Sequence, residues 1–173
     1  MESNKTRYIL VVGLILLAVV SRWLPHPPNF SPVIGIALLA GARFSSRPLA
    51  LAVPLVALMI SDLVLGWHST VPYVYLGMAF AVYCGWKSLK TTPAVSMKLG
   101  LTTTLAAVGF FVLSNLGVWL SQDLYSHDLS GLGACFVAAI PFFPATLVSG
   151  LIYSYALFGL LQIAELKVVG KAA

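Results

Sequence analysis

The most reactive side chain within an apolar stretch of this sequence is the carboxylate of Asp62, which lies five residues before Trp67. A carboxylate inside a membrane span costs at least ~2.5 kcal/mol, so such groups face a bundle interior or water and usually have a partner. Asp62 is therefore a candidate ligand or ion contact. The alternative is a structural group that pairs with Arg22 or caps a neighbouring helix.

A proline-rich run provides the next candidates. Three prolines occupy positions 25 to 28, with His26 between them and Asn29 directly after. Proline forbids a continuing helix and favours extended backbone. A stiff loop of this kind would hold His26 and Asn29 toward a ligand with little ordering entropy. The alternative is a simple connector between two helices.

The remaining candidates are expected at the same membrane depth as Asp62. Asn115 and Trp119 are four residues apart and share a helix face. Trp67 and Trp119 are predicted to flank the ligand, and His68 either contacts it or is simply solvated. The predicted substrate-binding set is His26, Asn29, Asp62, Trp67, His68, Asn115 and Trp119.

Catalytic and metal-binding motifs do not support an enzyme. The sequence contains no G-x-S-x-G, H-E-x-x-H or P-loop pattern. Asp123, His127 and Asp128 have no recognisable metal-ligand spacing. We predict no catalytic residue, no resident metal and no cofactor. A membrane enzyme using Asp62 and His26 as acid and base is the remaining catalytic hypothesis.

The composition indicates a membrane protein. Of 173 residues, 60% are hydrophobic and 9% are charged, whereas soluble domains carry about a quarter charged residues. There is too little polar surface to cover a water-soluble globule. The positive charges are spread over several segments and form no basic face, so nucleic acid is not an expected partner.

The apolar runs and their breakers predict an all-α integral membrane protein with one domain over residues 1–173. Six transmembrane helices are expected at about 8–24, 30–44, 49–67, 71–86, 99–120 and 144–164. The second is too short to cross the hydrocarbon core, so either it sits against other helices or the proline-rich loop dips into the bilayer. A short helix over 129–140 is expected before the last span, and it spans, re-enters or lies at the interface.

Charge distribution predicts the orientation of these spans. Nine of the ten Lys and Arg residues lie on one side of the six stretches, and Arg22 alone lies on the other. Basic residues are retained in short cytoplasmic loops. We therefore expect both termini in the cytoplasm, the proline-rich loop outside, and a multi-pass protein of the bacterial inner membrane. Cys84 and Cys135 are expected at opposite ends, too far apart for a disulfide.

Four runs resemble a known group of proteins: RWLPHPPNF from Arg22, SDLVLGWH from Ser61, FVLSNLGVW from Phe111 and CFVAAIPFFPAT from Cys135. They resemble a family of small uncharacterised bacterial membrane proteins, which is similar to the substrate-binding (S) components of energy-coupling-factor vitamin transporters. S components are six-helix proteins that capture a vitamin or metal-related substrate at the outer face and dock on an ATPase–scaffold module.

The resemblance extends to the solitary cobalamin-binding S component, in which a His, an Asp and a cobalt-binding Cys matter. His26 and Asp62 match the first two. Cys84 is predicted near the inner end, so the cobalt ligand is not carried over. Cobalamin therefore remains one candidate among vitamins and cofactor precursors.

Two functional hypotheses follow. The first is a substrate-capture protein for uptake of a small solute, energised by an ATPase–scaffold partner because the chain has no ATP-binding motif. The second is a structural or accessory membrane protein. It would contact a partner through two small-xxx-small pairs, Ala37 with Gly41 and Gly150 with Ser154.

Overall fold

Helices make up the whole of the regular structure that is described. The structure is a computed structural model that describes the backbone of residues 4–93 and 96–169, and the side chains within 9–93 and 96–165. Over these residues it contains seven α-helices and one 3₁₀ turn, and no strand. The helices are α1 (Asn4–Trp23), α2 (Val33–Arg43), α3 (Arg47–Leu65), α4 (Val71–Ser88), α5 (Met97–Ser121), α6 (Leu129–Ala139) and α7 (Phe143–Val169), with the 3₁₀ turn at Ile140–Phe142.

The all-helical prediction is confirmed, and each of the six predicted spans coincides with one helix. The short helix expected before the last span is α6, and the 3₁₀ turn joins it to α7. Local capping explains several boundaries. The Ser46 hydroxyl accepts a hydrogen bond from the Leu49 amide at the start of α3, and Ser96 does the same for α5.

Three helical stretches of the described residues are long and apolar enough to cross a membrane: Arg47–Leu65, Met97–Ser121 and Leu129–Glu165. Their large apolar side chains point outward. Leu63, Leu101 and Leu160 are each about two-thirds exposed. An apolar surface of this extent is typical of lipid contact. The side chains of Lys5, Arg7, Lys167 and Lys171, which support the predicted cytoplasmic termini, lie outside the described residues.

The short helix α2 is the centre of the bundle. Every residue from Val33 to Ala42 is buried, and α2 packs against α4, α7, α3, α5 and α1. Eleven helical residues rise only ~16 Å. A helix this short must be enclosed by longer helices to lie within a membrane, and α2 is enclosed in this way.

Glycines allow α2 and α4 to cross at close range. A Cβ atom on Gly41 would collide with the carbonyl of Val82, and one on Gly85 would collide with the carbonyl of Leu38. The two backbones are therefore in direct contact, which only glycine at these positions permits.

The predicted small-residue pairs are used inside the chain. Ala37 and Gly41 are buried on α2, and Gly150 and Ser154 are buried on α7. A Cβ on Gly35 would lie 3.0 Å from the Ser154 amide nitrogen, which shows how closely α2 and α7 approach. These residues pack the helices of the bundle against one another and are not part of its outer surface.

The two ends of the bundle differ in composition. The loop end carries residues 24–32, the link from α3 to α4, and the segment from α5 to α6. The basic end carries Arg43, Arg47, Lys87 and Lys90.

Candidate functional site

A cavity of about 340 Å³ lies at the loop end of the bundle. Its wall combines side chains from the proline-rich loop with the adjoining parts of α1, α2, α3, α4, α5 and α7. It is lined by Arg22, His26, Asn29, Ser31, Val33, Ile34, Leu58, Leu65, Val74, Met78, Phe110, Thr146 and Ser149.

A second cavity, of about 300 Å³, adjoins the first. It lies among α4, α5, α6 and α7, and its polar side chains include Asn115, Ser114 and Tyr125. Four residues line both cavities, which places them at the boundary between the two: Asn29, Val74, Phe110 and Thr146. We call the pair the joined cavities.

Asn29 occupies this boundary with an unusual backbone. Its φ angle is 63°, in the left-handed region that asparagine adopts more readily than most residues. The turn is closed by the Phe30 amide, which donates to the Pro27 carbonyl at 3.0 Å. The Ser149 hydroxyl lies 3.4 Å from the Asn29 carbonyl and 3.2 Å from the Thr146 carbonyl, so its one proton is shared between the loop and α7.

His26 lines the first cavity and remains exposed. Its Nδ1 lies 2.9 Å from the Pro27 carbonyl oxygen. That contact orients the ring, and among the described residues Nε2 has no hydrogen-bond partner. An imidazole in this position is suited to bind a polar group of a solute.

Asp62 is buried and does not line either cavity. Its Oδ1 accepts a hydrogen bond from Arg22 Nη2 at 2.6 Å, and its Oδ2 accepts one from the Tyr75 hydroxyl at 3.3 Å. The pairing with Arg22 that the sequence offered as an alternative is therefore present. Asp62 joins α1, α3 and α4 at the edge of the first cavity.

Arg22 is the member of this ion pair that reaches the cavity wall. Its side chain is 24% exposed, against 3% for Asp62, and it lines the first cavity. Within the described residues its Nε is buried without a hydrogen-bond partner. The guanidinium thus keeps donor capacity beyond the bond to Asp62.

Asn115 lines the second cavity together with Cys135. Its side-chain amide donates to the Phe111 carbonyl at 2.8 Å. The Cys135 thiol donates to the Asn115 carbonyl at 3.5 Å, which links α6 to α5. Cys84 and Cys135 are both free and buried.

Three predicted residues lie outside both cavities: Trp67, His68 and Trp119. Trp67 is 61% exposed. His68 Nδ1 lies 2.6 Å from the Thr70 hydroxyl. The Trp119 indole donates to the Ser126 carbonyl at 2.9 Å, so it fastens the segment before α6. The structure does not bring these side chains together with His26 and Asn29, and their ligand role stays a prediction.

Asp128 caps α6. Its Oδ1 accepts hydrogen bonds from the Gly131 amide at 2.7 Å and from the hydroxyls of Ser126 and Ser130. These bonds, the Gly131 amide first, lower the pKa of Asp128 below its ordinary 3.8. Within the described part of the chain, no three His, Cys, Asp or Glu side chains come together.

The first cavity is also lined by four residues that were not among those predicted to bind a solute: Arg22, Phe110, Thr146 and Ser149. Arg22 had a detectable signal, because it is the one cation away from the basic side. Thr146 and Ser149 are three residues apart, which is the spacing of one helix face. Phe110 sits in a long apolar run that gives no sign of which face lines a cavity.

Nearly the whole chain matches one family model. Residues 2–172 match a model described as Family of unknown function (DUF6580). The chain belongs to this family. No curated protein and no solved structure matches it significantly. Membership in DUF6580 establishes relatedness and assigns neither a substrate nor an activity, so the residues of the joined cavities carry the functional argument.

Proposed function

We propose that this protein captures a small solute in the joined cavities and serves its uptake across a membrane, in the manner of an S component. The observation that carries the proposal is the pair of adjoining cavities at the loop end. His26 lines the first cavity, Asn115 lines the second, and Asn29 lines both. Small-molecule sites are concave, mostly apolar and furnished with a few polar groups, and the joined cavities have this composition.

The lining indicates the chemistry of the solute. It offers one guanidinium, one imidazole and several amide and hydroxyl groups, whereas Val74, Met78 and Phe110 supply apolar wall. Among the described residues no carboxylate lines either cavity. A solute with hydrogen-bond acceptors and an apolar part fits this wall.

The volumes favour a compact solute. Each cavity, of about 340 and 300 Å³ respectively, lies at the lower end of the range for small-molecule sites, roughly 300–1,000 Å³, and the two together remain within that range. Within the class of vitamins and cofactor precursors, the proposal therefore favours a small precursor over cobalamin.

The proposal includes six membrane crossings by α1–α5 and α7, with both termini in the cytoplasm of a bacterial inner membrane. Two of these helices, α3 and α5, have the length and apolarity of a span by themselves, and α7 has them as part of the stretch Leu129–Glu165. The central position of α2 supports a crossing for a helix otherwise too short. The concentration of Lys and Arg at the basic end supports the orientation.

Asp62 has a positioning role in this proposal. It holds Arg22 against the cavity wall and makes no direct contact with the solute, because its carboxylate is enclosed by Arg22 and Tyr75. An ATPase–scaffold partner that energises release remains part of the proposal by resemblance, supported by the lack of a P-loop in the sequence.

Mass spectrometry of the purified protein provides the first test, through any co-purified small molecule. Binding of water-soluble vitamins and their precursors, cobalamin included, is then measured for the wild type and for His26→Ala. Loss of one or two hydrogen bonds weakens binding by about 5- to 30-fold. His127→Ala is the matched control, since His127 is an exposed histidine at the same end, lines neither cavity and is not a predicted ligand residue.

Two results would contradict the proposal. One is a wild-type protein that retains no small molecule and binds none of the panel. The other is a bound solute whose affinity is the same in wild type and in both histidine variants, which would place its site elsewhere.

A further inference from the structure

A groove of about 390 Å³ lies at the basic end, among α2, α3 and α4. It is separate from the joined cavities, which lie at the other end of α2. Its lining residues are Gly41, Phe44, Arg47, Ala50, Leu51, Ala79, Val82, Tyr83 and Trp86. Tyr83 is 52% exposed, so the groove opens onto the apolar outer surface of the bundle.

Cations are held over one aromatic ring at the mouth of this groove. The guanidinium carbon of Arg47 lies 4.1 Å from the centroid of the Trp86 ring, and Lys90 Nζ lies 5.4 Å from the same centroid. Both distances fall within the range of cation–π attraction. Arg43 adds a third positive charge nearby, because its Nη1 donates to the Lys90 carbonyl at 3.5 Å.

These charges are not neutralised within the described part of the chain. The one ion pair described there joins Arg22 to Asp62, at the loop end. Arg47 and Lys90 have no carboxylate partner among the described residues. An unpaired cluster of cations beside an apolar groove favours a ligand that brings its own negative charge.

The groove has the polarity profile of an amphiphile. Arg47 and Trp86 lie at its charged end, and the apolar wall of α4 runs from Trp86 back to Ala79. Seven helical residues rise ~10 Å, so the apolar part extends about two turns toward the middle of the bundle. Ala50 and Ala79 leave room there because their side chains are small.

We propose that this groove binds one anionic phospholipid. The phosphate group lies between Arg47 and Lys90, and part of an acyl chain lies along Ala50, Ala79 and Val82. Basic pockets between membrane helices bind acidic headgroups, and the groove opens on the exposed apolar surface, through which a lipid would enter from a bilayer. The charged end and the apolar wall match the two parts of one lipid molecule.

Native mass spectrometry with two lipids of identical acyl chains tests the proposal. Phosphatidylglycerol carries the net negative charge, and phosphatidylcholine is its neutral counterpart. The wild-type protein in detergent should retain one phosphatidylglycerol in clear preference to phosphatidylcholine. Arg47→Gln and Lys90→Gln should each weaken phosphatidylglycerol binding about fivefold, the effect of removing one basic contact to an acidic lipid.

Lys98→Gln is the matched control, because it removes one charge from an exposed lysine at the start of α5, outside the groove. It should bind phosphatidylglycerol as the wild type does. Arg47 is itself exposed, so its replacement leaves the buried packing unchanged. Ala79→Phe fills the apolar part without altering charge, and it should reduce retention of the lipid while the thermal midpoint confirms a folded protein.

Three results would overturn the proposal. These are equal retention of the two lipids, an effect of Lys98→Gln as large as that of Arg47→Gln, and full retention in a folded Ala79→Phe variant. Any of them would leave the groove to a different occupant, such as a helix of a partner protein.

Discussion

Replacement of Gly85 by alanine should destabilise the protein, because α4 crosses α2 there with no space for a Cβ atom. The new Cβ would collide with the Leu38 carbonyl and lie 2.9 Å from Leu38 Cα. Ordinary contacts of a Cβ begin at about 3.4 Å. Neither partner atom belongs to a side chain that can rotate away, so the two helices must separate.

The size of the effect follows from the position of α2. Because Val33–Ala42 is buried on every side, moving α2 away from α4 presses it against α7. Overpacking a close-packed interior costs about 1–3 kcal/mol. Because the new Cβ collides with backbone atoms, which cannot move aside, we expect a cost at the upper end of this range, about 3 kcal/mol. For a chain of this length, a loss of that size lowers the unfolding midpoint by roughly 6–12 °C.

The assay is thermal unfolding in detergent at a fixed scan rate, followed by tryptophan fluorescence. Gly41→Ala should behave like Gly85→Ala, since its Cβ would collide with the Val82 carbonyl from the opposite helix. Gly13→Ala and Gly159→Ala are the matched controls. Both glycines are helical and have no atom within 4 Å of an added Cβ, so their midpoints should stay unchanged or rise slightly. Equal midpoints for all four variants would refute the crossing described here.

Three further predictions concern the loop end. Asp62→Ala should lower the free energy of unfolding by roughly 3 kcal/mol, because it leaves Arg22 partly buried without its partner. An Asp62→Leu/Arg22→Leu double variant should recover part of that loss in the same thermal assay. A double variant less stable than the single one would contradict this prediction. Asn29→Ala should cost about 1 kcal/mol through its left-handed backbone, whereas Asn29→Gly should not, so weakened solute binding in a stable Asn29→Gly protein identifies the amide as a contact. The pKa of Asp128 is lowered in the folded protein. The stabilisation that the ionised Asp128 gives to the start of α6 is therefore complete above pH ~3.8 and is lost as the pH falls through the lowered pKa. Hydrogen exchange at the Gly131 amide, corrected for the intrinsic rate, should accelerate at acidic pH in the wild type and show no such change in Asp128→Asn.

The cost of a lone carboxylate in an apolar segment made a partner for Asp62 predictable, and Arg22 was the cation available on the same side. What the sequence left open was which member of the pair reaches a cavity. Arg22 does so and Asp62 does not, because Tyr75 on α4 encloses the carboxylate from the other side. That outcome depends on the packing of three helices that are distant in the chain.

Trp67 and His68 show why loop residues were harder to place. They follow Gly66, which ends α3 with a φ of 100°. This positive φ redirects the chain, and Trp67 lies mostly exposed, outside both cavities. The distance of these residues from Asp62 along the chain indicated their depth in the membrane. The direction in which their side chains point is determined by the turn at Gly66, and that direction decides which side chains they contact.

By itself, the sequence determined the helices of this protein. Apolar runs long enough for a span, separated by Pro, Gly and charged residues, leave the backbone little choice in an apolar environment, where its hydrogen bonds must be made within each segment. Only the tertiary structure decided that the short α2 is the centre of the bundle and that Asn29 borders both cavities. It also decided that two basic side chains lie over the Trp86 ring beside a groove. Those features arise from contacts between helices far apart in the chain, and no local pattern specifies which faces will pack together.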